Sequence, residues 1–230
     1  MRRLDFFVTG TDTGVGKSLV AAALLTAIGK QGRRAVGMKP VAAGAEFSNG
    51  QWHNDDVDQL MAASNVHAAP ECVCPYLLQE PVAPHIAAQR AQVSIELPHL
   101  QACFAALQAL SDSVVVEGAG GWLVPLTRTQ TMADFAQTLD VPIVLVVGLR
   151  LGCINHALLT AEAIRARGLR LAGWVANTID PEMPELEANV QALQERLPAP
   201  LLAHIPCWSA DQAHTRVSAT ADLFDTSAFI

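Results

Sequence analysis

The segment Thr9-Gly10-Thr11-Asp12-Thr13-Gly14-Val15-Gly16-Lys17-Ser18 constrains this chain more than any other. It follows a short β-type run, Leu4–Thr9, and opens a helical pattern over residues 18–30, where Leu19, Ala22, Ala23 and Ile28 make an apolar face. A glycine-rich turn between a strand and a helix leaves backbone N–H groups pointing inward at the amino end of a helix dipole. Such a loop is built to hold an anion.

The order strand, loop, helix is the context that a phosphate-binding P-loop needs. Lys17 is then placed to reach the β- and γ-phosphates of a nucleotide, and the Ser18 hydroxyl to face Mg²⁺. The loop departs from G-x-x-x-x-G-K-[ST] at its first position, where Thr11 stands and Gly10 lies one place early. Partitioning-type ATPases carry a second lysine after that position. This chain has Asp12, which argues against a nucleotide-sandwich motor.

The remaining pattern continues the theme. Strands are expected at 35–39, 113–117, 143–148, 171–177 and 201–205. Helices are expected at 55–63, 85–91, 97–110, 132–139, 155–168 and 185–197. Residues 42–54 read as a loop. Residues 64–84 read as irregular, because Pro70, Pro75, Pro81 and Pro84 forbid long elements. Continuous apolar strands alternating with amphipathic helices indicate a parallel sheet covered on both faces. The fold class is therefore α/β: a P-loop NTPase-type parallel β-sheet with helices on both faces, read as a single domain over residues 1–230. The tail after Pro206 carries no readable pattern.

Composition narrows the function. The chain has 230 residues, 51% hydrophobic and 16% charged, with a formal charge of −7. Residues 1–40 hold seven of the basic residues against two acids, so the excess of acid lies in the rest. An acidic chain with a basic amino-terminal segment suits a small polyanion at one site, not nucleic acid. No apolar run approaches the roughly 18 residues of a membrane span. Five cysteines, an odd number, fit a reducing cytoplasm. Cys72-x-Cys74 lacks a partner pair with zinc-site spacing and reads as reduced structural thiols. The seven histidines are scattered.

Only Lys17, Lys30 and Lys39 are lysines, against twelve arginines. Lys39 ends the second strand, on the rim that the P-loop also occupies, where a cation neutralises a phosphate or acyl-phosphate. Glu117 ends the apolar strand Ser113–Glu117 ahead of Gly118, Ala119, Gly120 and Gly121. An acid there is placed to hold Mg²⁺, and the glycines let backbone approach a ligand. Asn54-Asp55-Asp56-Val57-Asp58 carries more acid than capping needs, so one acid is expected at the site. Asn177, closing another strand, presents the donor and acceptor that match the N6/N7 edge of adenine.

The chain resembles dethiobiotin synthetases. The resemblance rests on residues 8–18, Lys39-Pro-Val-Ala42, Pro84-His-Ile86, Val116-Glu-Gly-Ala-Gly-Gly-Trp122, Leu151-Gly-Cys-Ile-Asn-His156, Ala172-Gly-Trp-Val-Ala-Asn177 and Pro198-Ala-Pro-Leu-Leu202, in order along the whole chain. It implies closure of a cyclic urea on 7,8-diaminononanoate from CO₂/bicarbonate and ATP, with Mg²⁺, through a carbamate and a carbamic–phosphoric anhydride. It implies a cytoplasmic homodimer. It assigns Thr13, Lys17 and Lys39 to catalysis and Ser18, Asp56 and Glu117 to the metal. It assigns Thr13, Gly14, Val15, Gly16, Lys17, Ser18, Asp56, Glu117, Gly118, Ala119, Gly120, Asn177 and Pro206 to ATP. It assigns Lys39, Ala43, Gly118, Leu151, Gly152, Cys153 and Asn155 to the diamine, with the 151–155 turn supplied by the partner chain. Three positions depart from relatives: Gly14 where an acid is frequent, Ala43 in place of a serine, and Asn189 in place of a tyrosine. An amide-forming synthase of the cobyrinic acid class would need a glutaminase domain, for which 230 residues leave no room. A nucleotide-sensing domain could lack Lys39 or Glu117, and both are present.

Overall fold

The computed structural model describes residues 3–212 and 215–224. Its centre is a six-stranded sheet made of β1 (Phe6–Gly10), β2 (Ala35–Met38), β7 (Ser113–Glu117), β8 (Ile143–Leu149), β9 (Leu171–Thr178) and β10 (Leu201–Ile205), in the order β10-β9-β8-β1-β7-β2. All of its pairings are parallel. The strands are apolar and nearly all their residues are buried, as a sheet covered on both faces demands. Alternate side chains enter opposite layers. Phe7, Val36, Val114, Val116, Leu145 and Val147 join one core cluster, and Phe6, Val8, Ala35, Val115, Val144 and Val146 the other.

Helix α1 (Lys17–Lys30) follows β1 and buries nine residues, most of them alanine, valine or leucine. The chain then leaves β1 for β2, returns through β7, and crosses to β8 on the other side. Strand β1 is thus flanked by β7 and β8, both of which begin more than a hundred residues further along the chain. In open parallel sheets, ligands gather beyond the carboxyl ends of strands at such a reversal.

Helices α2 (Asp55–Ala63), α5 (Leu97–Leu110), α6 (Met132–Leu139), α7 (Cys153–Ala166) and α8 (Leu186–Arg196) lie close to the expected bounds, as does α4 (Pro84–Arg90). Two stretches read as unstructured contain elements. Residues 64–84 hold α3 (Pro70–Val73) and β6 (Tyr76–Leu78), the latter pairing in parallel with β3 (Val41–Ala43). Residues 42–54 hold an antiparallel hairpin of β4 (Glu46–Ser48) and β5 (Gln51–His53). Its turn is Asn49-Gly50, both at positive φ (50° and 80°), the two-residue turn whose twist suits a hairpin. Beyond β10, α9 (Arg216–Ala221) packs on α1, and Lys30 pairs with Asp222 at 2.5 Å.

Candidate active site

The carboxyl ends of β1, β2 and β7 deliver the charged residues. Parallel register sets Met38 beside Val116 and Val8 beside Glu117, so the next residue after Met38, Lys39, falls level with Glu117. Lys39 Nζ donates to Glu117 Oε1 at 2.5 Å and to Asp56 Oδ2 at 2.7 Å. The Lys39 backbone is pinned from below, its N–H donating to the Val73 carbonyl of α3 at 2.7 Å. Asp56 arrives from the first turn of α2. That turn is set by Asn54, whose side chain accepts from Val57 N–H and donates to the Ala43 carbonyl at 3.2 Å. Asp55 and Asp56 both line an outer acidic groove with Glu46, His53 and Asp58, but of the two acids only Asp56 also lines the cleft and reaches the cluster.

Ser18 Oγ lies 2.6 Å from Asp56 Oδ1 and 2.8 Å from Glu117 Oε1. A hydroxyl has one hydrogen, so it satisfies one of these carboxylates at a time. Glu117 is fully buried, and its Oε2 has no hydrogen-bond partner. Burial pushes the Glu117 carboxyl up despite the opposing Lys39 ammonium. Burial works the same way on Asp56, but the Lys39 charge and the Lys39 and Ser18 hydrogen bonds outweigh it and hold Asp56 below the ordinary carboxylate value. Lys39 sits above its usual value: burial opposes the charge, and Glu117 and Asp56 overcome it.

Lys17 is buried at the helix start and donates from Nζ to the Asp12 carbonyl at 2.9 Å. Burial, then repulsion from Lys39, brings its pKa down to about 8. Gly16, the residue before α1, has φ 92°, and a Cβ there would lie 2.2 Å from Asn177 Nδ2. Only glycine suits both the backbone and the space. Asn177 Nδ2 in turn donates to the Val15 carbonyl at 2.8 Å, tying the end of β9 to the loop. Pro206 follows Ile205, the register partner of Asn177, so both stand on the same rim.

A cleft of about 720 Å³ opens over this cluster. Thr13, Gly14, Gly16, Lys17, Ser18, Lys39, Ala43, Asp56, Glu117, Ala119 and Gly120 line it, all expected from the sequence. Gly120 is at φ 62°, where a Cβ would meet Val124 at 2.6 Å. Gly118 is buried behind the cleft against Phe7. The apolar wall was not foreseen: Val41, Pro81, Val82, Ala83 and Val124, with Pro84 beside them. Its signal was the run Pro81-Val-Ala-Pro84, where the prolines were read as forbidding long elements and Pro84 as part of the family resemblance, but no residue of it was assigned to the site. Arg150, paired with Asp12, was also missed.

Leu151, Gly152, Cys153 and Asn155 do not line this cleft. They form the turn into α7, with Leu151 89% exposed and Cys153 buried. The Cys153 amide donates to the Arg150 carbonyl at 3.0 Å, so it is not free for a ligand. The amides of Ile154 and Asn155 still lack intrahelical acceptors by helix geometry. Asn189 lies on α8, its amide bonded to the Glu185 carbonyl.

A family model described as an AAA domain matches residues 5–212. The ATP-dependent dethiobiotin synthetase BioD of Aromatoleum aromaticum is 53% identical over 201 residues, which are 87% of this chain and 89% of that protein. The protein of the same name from Janthinobacterium sp. (strain Marseille) is 52% identical over 204 residues, 87% of this chain and 86% of the relative. Among solved structures, the MinC:MinD cell division protein complex of Aquifex aeolicus aligns at a TM-score of 0.58 and 15% identity, covering 94% of this chain and 86% of that one. A ParA family ATPase from Chlorobium tepidum TLS aligns at 0.57 and 14%, covering 97% and 92%. The structural likenesses bear on the fold alone. Sequence identity above one half over most of both chains bears on the family: this chain is an enzyme of the ATP-dependent dethiobiotin synthetase family.

Proposed function

We propose that the chain closes the cyclic urea of dethiobiotin on 7,8-diaminononanoate, using CO₂ and ATP and releasing ADP and phosphate. The observation that carries this reading is the convergence of Lys17, Ser18, Lys39, Asp56 and Glu117 on one cleft beside the phosphate loop.

Ser18, Asp56 and Glu117 form an all-oxygen donor set with two carboxylates. One hydroxyl hydrogen is shared between two acids, and the buried Glu117 Oε2 is unsatisfied. This suits a hard divalent cation that keeps further places for phosphate oxygens and water. Mg²⁺ held by these three residues would neutralise charge on the β- and γ-phosphates.

One amine of the substrate takes up CO₂ as a carbamate. Its oxygen is a poor leaving group, and transfer of the γ-phosphoryl group makes it a good one. The second amine then attacks the carbonyl carbon, the C–O bond to phosphate breaks, and the ring closes. Catalysis by the protein is positioning and charge stabilisation. Lys17 turns from the Asp12 carbonyl to the phosphates. Lys39 stands between them and the carbamate and stabilises the charge that grows on the transferring group. Thr13 supplies a loop hydroxyl, and the Gly14–Ser18 amides cradle phosphate. Asn177 and Pro206 flank the base, and Gly118 to Gly120 give backbone access. The diamine lies along Ala43 and the apolar 81–84 wall.

The carboxylate of the substrate sits at the far end of an extended chain. We assign it to the Leu151–Asn155 turn of a partner subunit in a cytoplasmic homodimer. The exposed Leu151 and Leu159, and the Ile154 and Asn155 amides that lack intrahelical acceptors, support that placement. Residues 1–230 then act as one domain. ADP release by the pure protein with Mg-ATP and bicarbonate tests the reading. Release should depend on added diaminononanoate, and diamine-independent release overturns it.

A further inference from the structure

Arg150 stands in the turn between β8 and α7, outside every role given above. Its Nη2 donates to Asp12 Oδ2 at 2.5 Å. Asp12 is the hub of the outer shoulder of the phosphate loop. Its Oδ1 accepts the Thr13 amide at 2.7 Å, and its carbonyl accepts Lys17 Nζ at 2.9 Å. The Thr13 amide, then the Arg150 guanidinium and the His156 charge, hold the Asp12 carboxyl below its ordinary value against the effect of burial. On its other side, the Arg150 carbonyl accepts the N–H of Cys153, the first residue of α7. One residue therefore holds the phosphate loop with its side chain and the opening turn of α7 with its backbone.

We propose that Arg150 is a positioning residue for the phosphate loop, and that through Asp12 it couples a nucleotide on the loop to an anion at the amino end of α7. The second half rests on the reading of that turn as the carboxylate end of the diamine site. In a dimer it makes the nucleotide of one subunit sense the diamine seated in the site of its partner. Coupling of this kind is reciprocal: each ligand sharpens the binding of the other by the same factor. Both side chains of the pair are about half exposed, so the pair contributes little to folding, and its effect belongs in ligand binding.

Calorimetric titration of ADP, with and without diaminononanoate, tests this in wild type, Arg150→Gln, Arg150→Lys, Asp12→Asn and the Asp12→Asn/Arg150→Gln double variant. Arg150→Gln is expected to weaken ADP about fivefold, with Tm changed by no more than about 2 °C. Arg150→Lys should recover most of the loss. The double variant should be no weaker than the weaker single one, because both remove the same contact. The factor by which the diamine tightens ADP in wild type should fall to about one in Arg150→Gln. Unchanged ADP affinity in Arg150→Gln, or additive losses in the double variant, overturns the positioning role. A diamine factor of one in a wild-type protein that does make dethiobiotin overturns the coupling. Wild type that neither responds to the diamine nor makes dethiobiotin overturns the functional reading and the coupling together, while the ADP titrations still decide the positioning role.

Discussion

Strands β1 and β7 carry a buried polar network at each end, and the two are built differently. At the amino end, Asp5 accepts from Arg3 Nε and Nη2, Gln108 Nε2 and the Val114 amide, at 2.7–3.0 Å. Arg3 Nη1 also closes on the Gln108 and Ser111 carbonyls. Both oxygens of Asp5 are bonded. At the carboxyl end, Glu117 is buried with one oxygen unbonded, and three carboxylate and hydroxyl oxygens crowd around a single hydroxyl hydrogen. A saturated network fixes the fold. An unsaturated one stores a charge that a ligand can meet.

The sharpest break between the two ends is expected in Lys17→Ala. It removes an oriented cation worth about 3 kcal/mol or more in the transition state, so turnover at saturating ATP should fall at least about a hundredfold while the melting curve barely moves. Steady-state ADP release and a thermal melt on the same sample check both halves. Asp5→Ala should do the reverse. It strips four hydrogen bonds and leaves the buried Val114 amide unpaired, costing about 2–4 kcal/mol of stability in denaturant titration, with kcat of the folded enzyme unchanged. If Asp5→Ala lowers kcat in proportion to Lys17→Ala, the two ends are not functionally distinct.

How much of this division was legible in the sequence depends on burial. The β1–loop–α1 unit and the apolar strands were legible because buried parallel strands read as unbroken apolar runs. The β4–β5 hairpin was not, because Phe47 and Trp52 are exposed and pack edge-to-face on each other, not on the core. The Asn49-Gly50 dipeptide between short alternating runs was a usable signal that composition masked as loop. The Lys39–Glu117 pair needed strand order. Strand β2 pairs with β7, far along the chain, and no local pattern tells of that. The same holds for Asp12 and Arg150. Helix α9 has six residues of weak pattern and is held by α1 packing.

Within the carboxyl-end network, Asp56 and its neighbour Asp55 sharpen the contrast further. Asp56→Asn should raise the Mg²⁺ concentration for half-maximal activity about tenfold, whereas Asp55→Asn, facing the outer groove, should leave it within about twofold. A larger shift in the Asp55 variant would mean that the wrong acid has been assigned to the site. The smallest effect belongs to a saturated network on the surface. Thr131 and Asp134 form a reciprocal capping box on α6. Burial works to raise the Asp134 carboxyl, but the Thr131 hydrogen bonds and Arg167 hold it below its ordinary value. Its contribution is therefore present above the unfolded carboxylate pKa of about 4 and lost as pH falls through the lower folded value. Thr131→Ala should cost about 1 kcal/mol at pH 7 without touching turnover, and Asp134→Asn should flatten the acid limb of the stability curve.

The most direct measurement follows carbon from ¹³C-bicarbonate into product with Mg-ATP and 7,8-diaminononanoate. The label should appear in the ureido carbon of dethiobiotin, one for each ADP released, in wild type and in Asp5→Ala, while Lys17→Ala should give neither labelled dethiobiotin nor ADP release above background. Unlabelled or absent dethiobiotin with continuing ADP release, or normal labelling in Lys17→Ala, would contradict the assignment of the carboxyl-end network to this chemistry.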